Sequence, residues 1–229
     1  MNTDMDIETN RKLCLKRQTE LRGALTGGEQ FEQAIQMFLT QHAVLHAGKI
    51  DKASGWSFAD AIVNNMADEQ IRRIPRNCEH SIAWILWHIA RIEDVTMNLL
   101  VAGSPQIFHR DRWSERMKSS VRHTGNAMDL EEVSTLSQRV DIEALRAYRL
   151  AVGKRTREIV RQLQAGDLKR KIDPARLQRV RDEGAVVAEA SGILDYWSKR
   201  DVAGLLLMPA TRHSLVHLNE ALKLKQRQQ

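Results

Sequence analysis

Hydrophobic residues recur every three to four positions along four long stretches of the chain, a spacing typical of helices with one buried face. These stretches predict helices over about 29–47, 79–102, 141–163 and 209–225. The pattern is clearest in the second stretch, whose recurring apolar residues are Ile82, Ile85, Ile89, Ile92 and Leu99. Gly103 and Pro105 follow directly and predict the end of that helix.

Start and stop signals add shorter helices to these four. Ser57 with Asp60 resembles a capping box that opens a short helix to about Ile71, and Asp173-Pro174 resembles the start of another, to about Asp182. The long connection 106–128 contains a possible helix around Trp113. Pro209 must start, kink or divide the last helical region, because proline lacks the backbone donor and clashes with the preceding turn.

Composition favours an all-α fold, since the 229 residues include only four prolines and twelve glycines, and β-branched clusters are sparse. We expect an up-down four-helix bundle with a long crossover between its second and third helices and additional short helices. The N-terminal residues 1–28 are expected to form a helical extension, with a helix over about 8–25 that ends at Gly27-Gly28. Residues 29–229 are expected to form the bundle domain.

Charge and cysteine content exclude several classes of protein. The formal net charge is +6, but basic and acidic residues alternate, as in 110–116, which argues against a nucleic-acid interface. No apolar stretch reaches the ~18 residues of a membrane span. Two isolated cysteines, Cys14 and Cys78, predict no disulfide framework, so a cytoplasmic location is expected.

Three histidines carry the candidate chemistry. His213 and His217 stand four residues apart, so on a helix both imidazoles face the same side, and Glu220 follows on that face. A third ligand from a facing helix, such as His88, would complete a metal site with one coordination position open. The spacing is weak evidence by itself, because such pairs are also found as ordinary core or surface histidines and a second pair occurs at His42 and His46. That second pair has no acidic residue three or four positions later; Lys49 and Ile50 stand there.

Two segments resemble the DinB-like superfamily of metal-binding four-helix bundles. The segment 81–93, Ser-Ile-Ala-Trp-Ile-Leu-Trp-His-Ile-Ala-Arg-Ile-Glu, is preceded by Asp68-Glu-Gln-Ile and is similar to the family's second helix with its single metal histidine. The segment 211–220, Thr-Arg-His-Ser-Leu-Val-His-Leu-Asn-Glu, is similar to its last helix. The resemblance covers about residues 30–225.

This resemblance implies that His88, His213 and His217 form a metal triad for a divalent ion, zinc or nickel. Family members include transferases and isomerases that use low-molecular-weight thiols, so the resemblance implies metal-activated attack by a thiol or water on a small-molecule substrate. Candidate catalytic residues are Glu220, as a partner of a ligating histidine or a ligand itself, and Arg91, as a clamp for an anionic group or else part of a surface salt bridge. Thiol transfer is the first expectation and hydrolysis the second; the alternatives are a metal-dependent binding or stress-response module without turnover, and a structural helical protein that binds no metal.

The last helix is apolar on the side opposite the histidines as well, at Leu215, Leu218 and Leu222. A helix that is apolar on two sides is covered twice. The N-terminal helix or a second subunit would supply the additional layer, and a homodimer is therefore a possible assembly.

Overall fold

Helices build the fold, and no strand occurs in the part of the chain that this computed structural model describes, residues 3–27, 30–51 and 55–228. The all-α bundle expected from the sequence is confirmed. The α-helices are α1 (Thr3–Thr26), α2 (Phe31–Leu45), α3 (Phe58–Val63), α4 (Asp68–Arg72), α5 (Ile82–Asp94), α6 (Ile107–Arg110), α7 (Trp113–Arg116), α8 (Leu130–Arg139), α9 (Ile142–Gln162), α10 (Pro174–Asp182), α11 (Gly192–Ser198), α12 (Val202–Leu207) and α13 (His213–Gln226). The boundary expected between an extension and the bundle, at Gly28 and Glu29, lies outside the described residues.

α5 is the central helix, and each of its residues is buried. The hydroxyl of Ser81 caps its first turn by accepting a hydrogen bond from the amide of Trp84 at 2.9 Å. The helix continues as a π-helical segment, Val95–Ala102, where the sequence predicted one regular helix. At this transition the hydroxyl of Thr96 donates to the carbonyl of Ile92 at 2.7 Å, which competes with the regular backbone ladder. Gly103 ends the segment with φ +69°, a conformation that glycine adopts without strain.

The crossover between α5 and α9 contains more helix than the sequence analysis predicted. The helix expected around Trp113 is confirmed as α7, but α8 was missed. Its signal was present, because Asp129 and Glu132 form a reciprocal capping box at its start. The short helix predicted from Ser57 to Ile71 is divided into α3 and α4 by a turn in which Asn65 has φ +65°.

The last helical region is interrupted at Pro209, as the proline predicted. Met208–Arg212 forms a π-helical segment between α12 and α13. The hydroxyl of Thr211 donates to the carbonyl of Leu207 at 2.8 Å within it. The wider turn accommodates the residue that lacks a backbone donor, and the helix continues into the histidine pair.

The N-terminal helix α1 lies against α12, and its side chains reach the π-helical segment and α13. The amide of Gln18 donates to Thr211 Oγ1 at 3.0 Å, and the guanidinium of Arg11 donates to Asn219 Oδ1 at 3.3 Å. The chain itself therefore contributes to the second layer expected over the last helix. A homodimer stays a prediction.

Among the described residues, no helix has an apolar stretch that would reach across a bilayer.

Candidate metal centre

The three histidines singled out in the sequence lie together, although 125 residues separate His88 from His213. His88 projects from the middle of α5, and His213 and His217 project from the first two turns of α13. The Nε2 atoms of His88 and His213 are 3.2 Å apart. One nitrogen from each ring lies within 4.8 Å of the others. Two nitrogens bound tetrahedrally to one zinc ion, at about 2.0–2.1 Å, would lie about 3.3 Å apart. The spacing fits a shared divalent ion.

Hydrogen bonds fix the tautomers of two of the rings. Nδ1 of His88 lies 2.6 Å from the carbonyl oxygen of Thr124, which can only accept, so this nitrogen donates and Nε2 keeps its lone pair. Nδ1 of His217 lies 3.0 Å from Oε2 of Glu220, and the same reasoning frees its Nε2. Metal-binding histidines are commonly oriented in this way by a carbonyl or carboxylate. The Nδ1 atom of His213 has no hydrogen-bond partner among the described groups.

Burial keeps the imidazoles of His88 and His213 neutral. It is the main reason why the pKa of His88 is lowered to about 3, and the nearby imidazole of His217 lowers it further. Burial likewise holds the pKa of His213 well below its ordinary value. Lone pairs rather than protons therefore point at the shared position at neutral pH, as a metal ligand requires.

Glu220 connects the triad to a histidine that the sequence analysis missed. Its Oε1 lies 2.7 Å from Nδ1 of His80, while Oε2 holds His217. Burial raises the pKa of this carboxyl, but the hydrogen bonds to His217 and His80 outweigh that effect and lower the pKa to about 2. Glu220 is thus an anion that orients one histidine of the triad directly.

The ring of Trp84 lies between His80 and His88. It stacks on His80 with ring centroids 3.8 Å apart and on His88 with centroids 4.6 Å apart. The three residues are spaced by four along the chain, so the same periodicity that identified the other pairs would have pointed to His80. Trp84 is 4% exposed and forms a wall of the site.

Arg91 lies in the core rather than in a surface salt bridge, with 0% of its surface exposed. Its guanidinium donates to Gln106 Oε1 at 2.8 Å, to the carbonyl of Arg122 at 2.6 Å and to Tyr148 Oη at 3.1 Å. A role in binding a substrate anion stays a prediction. The contact with Arg122 connects Arg91 to the segment whose Thr124 carbonyl accepts a hydrogen bond from His88.

Acid is expected to destabilise the metal-free protein between pH 6.5 and about 3. The pKa of His88 is 6.5 before perturbation and about 3 in the fold, so in this window the unfolded chain takes up a proton that the folded chain does not. The contribution of His88 to the free energy of unfolding is fully present above pH 6.5. It is lost as pH falls, by up to about 1.4 kcal/mol per pH unit for one such group. Urea unfolding at several pH values with a chelator present measures it. His88→Gln should give a shallower dependence, and an unchanged slope would contradict this origin.

Comparison with known proteins identifies the family. The family model of the DinB superfamily matches residues 54–220, more than half of the 229-residue chain. The matched range contains His88, His213, His217 and Glu220, but it begins after α2. No curated protein matches the chain.

Proposed function

This chain belongs to the DinB superfamily, and on that premise we propose that it is a metal-dependent enzyme acting on a small molecule. His88, His213 and His217 would hold a divalent ion, zinc or nickel. The observation that carries the proposal is the convergence of the three imidazoles, with Nε2 of His88 and of His217 freed by hydrogen bonds at Nδ1. When bound, the ion would lower the pKa of a thiol or a water beside it and so make a nucleophile at neutral pH.

Thiol transfer to a small electrophile is the first candidate reaction, and hydrolysis is the second. Three neutral ligands leave the charge of the ion undiminished, which favours an anionic thiolate as the guest. The site is also accessible on one side, because the side chain of His217 is 18% exposed whereas His88 is 2% exposed. We propose that substrates approach from the α13 side.

His80 would carry the proton that the nucleophile loses, and Glu220 would position His80 and His217. Glu220 contacts both His217 and His80, and 23% of the His80 side chain is exposed. A proton released beside His217 can pass to solvent through the imidazole of His80, because this ring contacts Glu220 and is partly exposed. Glu220 is thus proposed as a positioning residue for His217 and His80 as a proton relay.

Turnover is tested with the protein purified without a histidine tag, loaded with zinc or nickel, and supplied with a panel of low-molecular-weight thiols and alkylating or epoxide electrophiles. We expect metal-dependent loss of free thiol with at least one pair. Ester and amide substrates test hydrolysis in parallel. A rate no higher than that of His217→Ala across all panels would contradict an enzyme and leave a metal-dependent binding module.

Glu220→Gln is expected to lower metal affinity or turnover by about 10–100-fold, the usual effect of removing a carboxylate that orients a ligating histidine. The amide retains an acceptor but not the charge. Competition with a chromophoric chelator measures the affinity. Glu131→Gln, the same change at an exposed position of α8, is the matched control and should have no effect. Equal behaviour of the two variants would remove Glu220 from the site.

A further inference from the structure

A second group of metal-binding side chains is buried between α2 and α5. His42 lies in the last turn of α2, His46 directly follows that helix, and Glu93 lies near the end of α5. These three residues, called here the α2–α5 cluster, are 1%, 3% and 2% exposed. Nε2 of His42 is 2.8 Å from Oε1 of Glu93, and Nε2 of His46 is 3.7 Å from Oε2. One donor atom from each residue lies within 4.8 Å of the others.

The surrounding residues leave room for the ring of His46. A Cβ atom at Gly153, in the middle of α9, would lie 2.6 Å from both Cε1 and Nε2 of that ring. A glycine inside a helix weakens the helix, and the close approach of the His46 imidazole explains why a residue without a side chain stands at position 153. His42 is fixed from the other side by stacking on Phe38, with ring centroids 5.5 Å apart.

The cluster contains polar atoms that the protein does not satisfy. Both ring nitrogens of His46 and Nδ1 of His42 have no hydrogen-bond partner among the described groups. Buried polar atoms are nearly always paired. The distance of 3.7 Å between His46 and Glu93 is too long for a hydrogen bond, yet it suits two atoms that bind a common ion.

Protonation of His46 does not account for the cluster. Burial is the main reason why the pKa of His46 is well below its ordinary value, and the nearby cations Arg149 and Arg157 lower it further. Arg149 donates to the carbonyl of Leu45 at 2.8 Å, and Arg157 donates to the carbonyl of Leu39. His46 is therefore a neutral imidazole, and one of its unpaired ring nitrogens carries a lone pair. The C-terminal end of α2 adds a partial negative charge that favours a cation.

We propose that His42, His46 and Glu93 form a second metal site, which holds a zinc-like divalent ion between α2 and α5. Two histidines and one glutamate are an established donor set for zinc. The site is separate from the triad. Glu93 follows His88 by five residues, which places it about 7.5 Å further along the helix axis and about 140° around it. Since its donors are almost fully buried, the ion would be structural and would fasten α2 to α5.

The test counts zinc in the full chain, purified without a tag, unfolded, refolded with zinc and passed through gel filtration. Wild type is expected to retain about two ions per chain, and His213→Ala/His217→Ala about one. Glu93→Gln keeps the volume and an acceptor for His42, so it should fold, as circular dichroism would verify, and lose one ion. The ion left in the triad variant should leave slowly when a chelator is added, because its donors are 1–3% exposed.

Two results would overturn the second site. One is a triad variant that retains no zinc while remaining folded. The other is zinc that persists in the triad variant after Glu93→Gln is added. Gly153→Ala supplies an independent reading, because it displaces the His46 ring without removing a donor and should speed the loss of the slow ion. Gly192→Ala, where a Cβ meets nothing within 4 Å, is its control and should leave that rate unchanged.

The test of the second site does not depend on the proposed enzymatic function. Loss of the triad ion alone bears on turnover, whereas loss of the slow ion alone bears on the α2–α5 cluster. The midpoint of thermal unfolding gives a second measurement, since an ion bound only to the folded chain raises it in proportion to the logarithm of free zinc. In the triad variant this rise should disappear with Glu93→Gln.

Discussion

Alanine in place of His88 is expected to remove one zinc ion per chain and to weaken the triad's affinity for zinc by at least about 100-fold. Loss of a residue that only orients a ligand already costs about 10–100-fold, and His88 is the triad's single donor from α5. The two histidines of α13 would remain, but they leave half of a tetrahedral set without protein ligands. Zinc per chain after gel filtration, compared with wild type under the same conditions, measures the loss whether or not a second site is filled.

The control for this variant is His109→Ala. His109 is exposed on α6 and belongs to neither group of metal-binding residues. It should retain the zinc content of wild type. If His88→Ala also retains the zinc content of wild type and remains folded, as judged by circular dichroism, then His88 is not a metal ligand.

Asp94→Ala is expected to lower the free energy of unfolding by about 3–5 kcal/mol, the usual cost of leaving a buried charge without its partner. The Asp94 carboxylate is 0% exposed. It accepts hydrogen bonds from the amides of Ile107 and Phe108, from Asn98 Nδ2, from Tyr148 Oη and from Arg91 Nη1. Alanine would leave the guanidinium of Arg91 in the core without its counter-ion. It would also leave the two amides in the first turn of α6 without their acceptor. Urea unfolding of the two chains gives the difference.

Asp111→Ala supplies the comparison, because Asp111 also pairs with an arginine but at the surface. Arg110 and Asp111 are 54% and 34% exposed in their side chains, so the loss should be about 0–1 kcal/mol. Similar losses for the two aspartates would show that the Arg91 network contributes little. Asp94 also positions the guanidinium of Arg91, which contacts the segment 122–124. Asp94→Ala should therefore also weaken the hydrogen bond that orients His88.

Sequence pattern predicted the helices whose amphipathic period is long and regular. The region around α5 and the region around α9 were found for this reason. Asp141, where the third predicted helix begins, caps α9 by accepting a hydrogen bond from the amide of Ala144. Shorter helices such as α11 were missed, because a few turns contain too few apolar repeats. The π-helical part after α5 was also missed, since composition there is compatible with a regular helix and only the tertiary arrangement selects the wider turn.

The candidate site shows the same division. His213 and His217 are neighbours on one helix, so spacing pointed to them. His88 was proposed as a third ligand from a facing helix, and the family resemblance implied the same residue. Glu93 was out of reach of a local rule, because the acid that accompanies His42 and His46 comes from a different helix. The surroundings of Arg91 could not be deduced either, since its partners Gln106, Arg122 and Tyr148 come from three different segments of the chain.

The π-helical segment ahead of α13 determines the direction in which each side chain of α13 points. Each residue advances an α-helix by about 100°, so removal of one residue from Met208–Arg212 would turn the pair of imidazoles away from α5. The spacing of the two histidines in the sequence would be unchanged, but their side chains would contact different residues. Two homologous chains with identical histidines can therefore differ in the ability to bind an ion through the length of a segment that contributes no ligand.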